Sequence, residues 1–131
     1  MRKLLLLVLT LTLTLFSSCS LFTLTRGLDK MMNLHIGEVD LTAVDDGDHR
    51  GSFAFERWSN TVEVTVHNHA ITAIRIIKDV KFAKAEVSSA VFEQVKTRQS
   101  IQIDAISGST VTTKAYLKSI ESALQPYIQE D

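Results

Sequence analysis

Hydrophobic and polar residues alternate between residues 61 and 78 as the strands of a half-buried sheet require. In the run 61–66 every second residue is a valine, with threonine and glutamate between the valines. Such alternation predicts an antiparallel strand with one face in the core and one in water. The residues His67, Asn68 and His69 predict a turn. The isoleucine-rich run 71–78 predicts the returning strand, and its change of parity indicates a bulge or burial on both faces.

Two further stretches carry a strand pattern. Residues 52–58 alternate, with Phe53 and Phe55 on one side, and predict a strand with an aromatic face. The run 46–51 before it contains Gly47 and Gly51, which predict a turn and a close backbone approach or bulge. A short apolar alternation at 101–103 predicts one more strand.

Two later stretches have helical periodicity. Val87, Val91 and Val95 follow an i, i+4, i+8 spacing, which predicts a helix with one apolar stripe and with polar residues, Ser88 among them, facing water. A second pattern runs from about residue 112 to 125 and ends before Pro126. With hairpins first and helices later, the predicted fold is α+β: an antiparallel β-sheet of hairpin-connected strands packed with two helices.

The N-terminus has the composition of an export signal. Arg2 and Lys3 precede a run at 4–16 that contains only Leu, Val, Thr and Phe, and Ser17-Ser18-Cys19 follows. This pattern resembles the lipobox of bacterial lipoproteins, with phenylalanine where leucine is usual. It implies a signal peptide over 1–18, a lipidated Cys19, and a tether or linker over 19–44 with room for a short amphipathic helix. The alternative is an uncleaved anchor, since residues 4–24 are uncharged and long enough to span a bilayer. Either way, we expect the domain outside the cytoplasm and anchored to a membrane, on the periplasmic side or at the cell surface.

Composition excludes several classes of function. The chain has 131 residues and a net charge of −1 with mixed signs, which indicates one domain and no nucleic-acid surface. The single cysteine allows no internal disulfide. His67 and His69 lack a third ligand nearby, no zinc pattern is present, and no metal site is predicted. Met31 and Met32 are expected to be packing residues.

A hydroxyl-rich turn centred on Gly108 precedes the second helix and is the main candidate site. Small residues let a backbone approach a ligand closely, and the first N–H groups of a helix have no partner inside it. The positive end of the helix dipole suits a phosphate. Alternatively, Ser107, Ser109 and Thr112 serve only to cap the helix.

The run 103–115, Ile-Asp-Ala-Ile-Ser-Gly-Ser-Thr-Val-Thr-Thr-Lys-Ala, resembles the signature of the FMN-binding domain family, Asp-x-x-Ser/Thr-Gly-Ala-Thr followed by Ser/Thr and a helix. The family includes the C subunit of the sodium-pumping NADH:quinone oxidoreductase and the G subunit of its electron-transport relative. The run Asp46-Gly47-Asp48-His49-Arg50-Gly51 matches the Asp-Gly-x-x-x-Gly opening of small members. The resemblance covers about residues 45–126. Ser109 stands where alanine is usual, and His69 where the hairpin usually has glycine.

The resemblance implies an FMN-binding domain over 45–131 with FMN as cofactor. It implies that a flavin transferase, using FAD, attaches FMN to Thr110 by a phosphoester bond. Ser107 and Ser109 would provide donors, Gly108 would allow close approach, and Asp104 would serve the transferase. Val111 and Thr112 complete the predicted cofactor-binding set at the helix start.

The implied function is a membrane-tethered electron carrier rather than a stand-alone enzyme, with membrane electron-transport proteins as partners. A non-covalent FMN or phospho-ligand module and a structural surface lipoprotein without flavin remain alternatives. Phe53, Phe55 or Trp58 would pack either against the isoalloxazine ring or in the core.

Overall fold

A three-stranded antiparallel sheet with two long helices forms the core of the protein, for which a computed structural model describes residues 1–4, 25–125 and 128–129. The sheet order is β2-β3-β4, and a separate two-stranded ladder pairs β1 with β5. This arrangement confirms the predicted α+β class. In chain order the elements are α1 (Leu28–Met32), β1 (Glu38–Val39), β2 (Gly47–Phe53), β3 (Asn60–His67), β4 (Ala70–Lys78), α2 (Ala85–Arg98), α3 (Thr110–Ala123) and β5 (Ile128–Gln129), with 3-10 turns at Leu41–Ala43 and Glu56–Trp58.

The predicted hairpin is confirmed as β3 and β4. The valines at 62, 64 and 66 are at most 1% exposed, while the alternate positions face outward. Asn68 and His69 form the turn with φ of 50° and 60°, as two-residue hairpin turns require. Register shifts at two points of the β3–β4 ladder confirm the irregularity predicted for the returning strand.

Helix α3 lies across the inner face of β2 and β3. Tyr116, Ile120 and Leu124 are fully buried. Gly51 permits the close approach, because a Cβ at this position would lie 2.1 Å from the carbonyl oxygen of Ser119. The close backbone approach predicted for the 46–51 segment is therefore confirmed at Gly51.

Helix α2 buries its valine stripe as predicted, but Ser88 does not face water. Ser88 is only 6% exposed, and its hydroxyl donates to the carbonyl of Ala85 at 3.0 Å. This local bond satisfies the hydroxyl within the helix, so burial leaves no unpaired polar atom. On the same helix Phe92 meets the ring of Tyr116 edge-on, with centroids 5.5 Å apart. Burial, together with a hydrogen bond to Asp79, raises the pKa of the Tyr116 hydroxyl.

Two strand predictions differ from the structure, one entirely and one in part. Residues 101–103 form no strand. The side chain of Gln102 instead donates to the carbonyls of Ile36 and Gly37, both at 2.8 Å. The strand predicted over 52–58 ends at Phe53, and a 3-10 turn follows. Periodicity was misleading at both places because a few alternating residues fix neither pairing nor length.

The second helix begins at Thr110, two residues before the predicted start. Helix α3 ends at Ala123, two residues before the predicted end. Pro126, residues 5–18 of the predicted signal peptide and Cys19 lie outside the described residues. Within the described ranges, no helix has the length and apolar character needed to cross a membrane.

Part of the predicted tether is folded against the domain. Met31 of α1 is 1% exposed, as expected for a packing methionine, whereas Met32 is 48% exposed and the prediction that it packs in the core is wrong. The ammonium group of Lys114 on α3 donates to the carbonyls of Met32 and Leu34. These contacts fix α1 beside the start of α3.

Candidate functional site

The turn before α3 is held in place from inside the helix by Thr113. The amide of Ser109 donates to the carbonyl of Ile106 at 2.9 Å, which closes the turn. The buried hydroxyl of Thr113 donates to the carbonyl of Ser109 at 2.9 Å and accepts from the amide of Ile106 at 3.2 Å. Gly108 lies between them with φ of 74°, a left-handed conformation that favours glycine. The sequence therefore builds a fixed turn rather than a loose loop.

The first turn of α3 has no side-chain cap from its N-cap residue. Ser109 occupies that position, but its side chain makes no cap hydrogen bond to the described chain. The interpretation of Ser109 as a side-chain cap is therefore wrong. Ser107 precedes the N-cap and Thr112 lies inside the helix, so neither is the N-cap residue. Free N–H donors at the positive end of a helix dipole provide a site for an anion.

A pocket of about 300 Å³ opens beside this helix start, at the small end of the range for small-molecule sites. Five of the predicted cofactor-binding residues, at positions 108–112, line it together. Val111 is buried, whereas Thr110 and Thr112 are partly exposed. A Cβ placed on Gly108 would meet no atom of the described residues within 4 Å, so the space above this glycine is open. The complete lining is Leu28, Met32, Arg57, Trp58, Gly108, Ser109, Thr110, Val111 and Thr112.

Two predicted site residues lie outside this lining. Asp104 is exposed in the loop before the turn, with a carboxylate oxygen 3.6 Å from the guanidinium of Arg98. Ser107 is exposed at the turn and does not line the pocket.

Arg57 brings a positive charge to the pocket. Its guanidinium carbon lies 4.5 Å from the centre of the Trp58 ring, a cation–π contact that fixes the orientation of the side chain. The Nε atom is buried and has no hydrogen-bond partner among the described residues. The preceding residue, Glu56, has φ of 46°, so the turn that presents Arg57 is itself strained. No spacing pattern in the sequence marks this residue.

The aromatic residues near the pocket form a cluster rather than a strand face. The centroids of Phe53 and Phe55 are 6.4 Å apart, and those of Phe55 and Trp58 are 6.3 Å apart. Trp58 is 1% exposed and belongs to the core, yet it also lines the pocket. Leu28 and Met32 of α1 form the apolar wall, with exposed fractions of 38% and 48%. The sequence allows a short amphipathic helix in this segment but does not indicate that its side chains line a pocket.

The pocket fits a ligand with an anionic end and an apolar, planar end. Uncapped N–H groups and the open space at Gly108 suit a phosphate, and the guanidinium of Arg57 brings a positive charge and hydrogen-bond donors to the lining. The side chains at 28, 32 and 58 suit a ring system. In the described ranges, no group of three or more His, Cys, Asp or Glu residues is placed to hold a metal ion.

Comparison with known protein families gives a match. The sequence model of the FMN-binding domain family matches residues 59–125, which include β3, β4, both long helices and the turn at Gly108. No curated protein and no solved structure matches the chain. A flavin mononucleotide has the phosphate and the ring that the two ends of the pocket suit. The chain therefore belongs to the FMN-binding domain family, and FMN is its cofactor.

Proposed function

We propose that the protein is an electron carrier whose FMN is joined to Thr110 by a phosphoester bond. The observation that carries this proposal is the position of Thr110, which is the first residue of α3, is partly exposed and lines the pocket. A phosphate on its hydroxyl would lie at the positive end of the helix, among N–H groups that lack a cap.

The other hydroxyls near the turn are less suitable. Thr113 is 0% exposed, and its hydroxyl already makes two hydrogen bonds that hold the turn. Ser107 lies outside the pocket lining. Thr112 lines the pocket, which makes it the matched control for Thr110.

The attachment step requires a flavin transferase and FAD. The hydroxyl oxygen of Thr110 bonds to the phosphorus on the riboflavin side of FAD and loses its proton, the P–O–P bond breaks, and AMP leaves. Exposed Asp104, close to the turn, is available to the transferase. The helix start then stabilises the negative charge that remains on the phosphodiester.

A carrier role fits the lining of the pocket better than catalysis on a substrate. Bound FMN supplies the redox chemistry. Among the described lining residues, Arg57 is the one with an ionisable side chain, so the pocket offers no carboxylate–histidine pair for general acid–base work. Electrons would pass to and from membrane electron-transport proteins, with a lipid on Cys19 holding the domain outside the cytoplasm.

Intact mass spectrometry after co-expression with a flavin transferase tests the attachment. We expect a mass increase equal to one FMN less one water in the unaltered chain and in Thr112→Ala, and none in Thr110→Ala. An adduct that persists in Thr110→Ala overturns the assignment of the attachment site. If flavin is released on denaturation and the mass stays unchanged, the protein is instead a non-covalent FMN module, which the pocket also accommodates.

The tether has its own test. Growth with a labelled fatty acid should label the unaltered protein and leave Cys19→Ala unlabelled. Label that persists in the variant argues against lipidation at this cysteine.

A further inference from the structure

We propose that α1 and Arg57 together form the seat of the isoalloxazine ring. Because this inference rests on the proposed attachment at Thr110, it concerns a ring whose phosphate is already fixed. Helix α1 and Arg57 both precede the residues that match the family, 59–125. The match over 59–125 therefore assigns no role to α1 or to Arg57.

The position of α1 is fixed by the same helix that carries the attachment residue. Lys114, four residues after Thr110, donates to the main-chain carbonyls of Met32 and Leu34. Met31 is buried in the core beneath. These hydrogen bonds hold the wall beside the pocket against the start of α3.

The wall presents apolar side chains that the described chain leaves uncovered. Leu28 and Met32 are four residues apart and so lie on one face of α1. They are 38% and 48% exposed, and both line the pocket with Thr110. A planar ring placed against them would remove this apolar surface from water.

Arg57 supplies the polar part of the seat. Its Nε–H is buried without a partner, and the cation–π contact with Trp58 keeps the guanidinium at the wall of the pocket. A flavin ring carries carbonyl and ring-nitrogen acceptors along its edge, and the guanidinium of Arg57, a residue of the pocket lining, would donate to one of them. Since reduction adds negative charge to the ring, a fixed guanidinium beside it favours the reduced form. Arg57 should therefore raise the reduction potential of the flavin.

The first test uses the flavinylated protein and asks whether α1 covers the ring. In Leu28→Ala/Met32→Ala the adduct should persist by mass, while the anisotropy of flavin fluorescence falls and quenching by iodide rises. A small-molecule pocket buries about 70–90% of its ligand, so release should raise the quenching constant about threefold or more. Ile77→Ala removes a similarly exposed side chain on β4, 42% exposed, and should leave both quantities unchanged.

The results separate the two proposals. An unaltered chain without an adduct overturns the covalent attachment and, with it, the premise of the seat. An adduct whose quenching and anisotropy are the same in the double variant and the unaltered protein overturns the seat alone.

The second test concerns Arg57 and uses the reduction potential of the bound flavin. Arg57→Gln should lower the potential, and Arg57→Lys, which keeps the charge, should recover part of the difference. Arg50→Gln is the control, because Arg50 pairs with Glu63 on β3 at 3.1 Å and does not line the pocket. Equal potentials in the glutamine variant of Arg57 and the unaltered protein overturn its role.

Discussion

Replacing Thr113 by valine should loosen the turn that precedes α3. The change keeps the size and branching of the side chain and removes its hydroxyl. That hydroxyl, on a residue that is 0% exposed, donates to the carbonyl of Ser109 and accepts from the amide of Ile106. The substitution removes both hydrogen bonds at once. It therefore measures how far the hydroxyl oxygen of Thr113 stabilises the turn.

The magnitude follows from the two bonds. The donated bond contributes about 0.5–1.5 kcal/mol, and leaving the Ile106 amide without a partner costs about 1–3 kcal/mol. Because Ile106 is only partly buried, water can reach this amide, and the lower part of that range applies. We expect Thr113→Val to lower the free energy of unfolding by about 2 kcal/mol, which corresponds to a fall in Tm of about 8 °C or more for a domain of this size.

Urea denaturation and amide hydrogen exchange measure the two effects. Thr113→Ser is the matched control, since it keeps the hydroxyl and removes one methyl group, at a cost of about 0.8 kcal/mol. The Ile106 amide should exchange faster in the valine variant and at the unaltered rate in the serine variant. A valine variant as stable as the unaltered protein, with the Ile106 amide still protected, would refute the reasoning.

Three further outcomes are expected. Gly51→Ala should destabilise the protein by about 3 kcal/mol in urea denaturation, the upper end of the cost of overpacking, because its Cβ would lie 2.1 Å from the backbone of Ser119. A loss under about 1 kcal/mol would contradict the packing of α3 on β2. Hydrogen bonds from Arg75 and Arg50 lower the pKa of Glu63 below 4.5, so its contribution is present above that pH and is lost as the pH falls through the depressed value. In thermal melts below pH 4.5, the Tm of Glu63→Gln should therefore fall less steeply with decreasing pH than the Tm of the unaltered protein. The same pH dependence of Tm in both proteins would count against the pairing of Glu63 with the two arginines. Gly108→Val should reduce the attachment of flavin, measured by intact mass. A φ of 74° disfavours a branched residue, and the valine side chain would occupy the open space above the turn. Full attachment would show that the flavin does not use this space.

Local patterns were sufficient for the hairpin and for the start of the site. The alternating valines of β3 require one buried face, and the residues between β3 and β4 suit a tight turn, so neither depended on distant contacts. The small residues around Gly108 likewise predicted a turn at a helix start. The helix begins at Thr110, two residues before the predicted start, and the side chain of Ser109 does not cap it.

Other features depended on contacts between residues far apart in sequence. The run 101–103 has the alternation of a strand, but Gln102 bonds instead to the carbonyls of residues 36 and 37. Ser88 can be buried because its hydroxyl donates a hydrogen bond to a carbonyl of its own helix. The spacing of apolar residues along the helix does not reveal such a bond.

The sequence by itself determined the fold class, the family resemblance and the turn in which Thr110 lies, because these depend on periodicity and on short motifs. Only the tertiary structure decided what faces that turn. Leu28 and Met32 reach the pocket because Lys114 clamps the chain beside α3, and Arg57 reaches it because a strained turn interrupts the predicted strand. Residues that meet across a pocket share no spacing in the chain, so a pattern search identifies the motif on one wall and misses the opposite one.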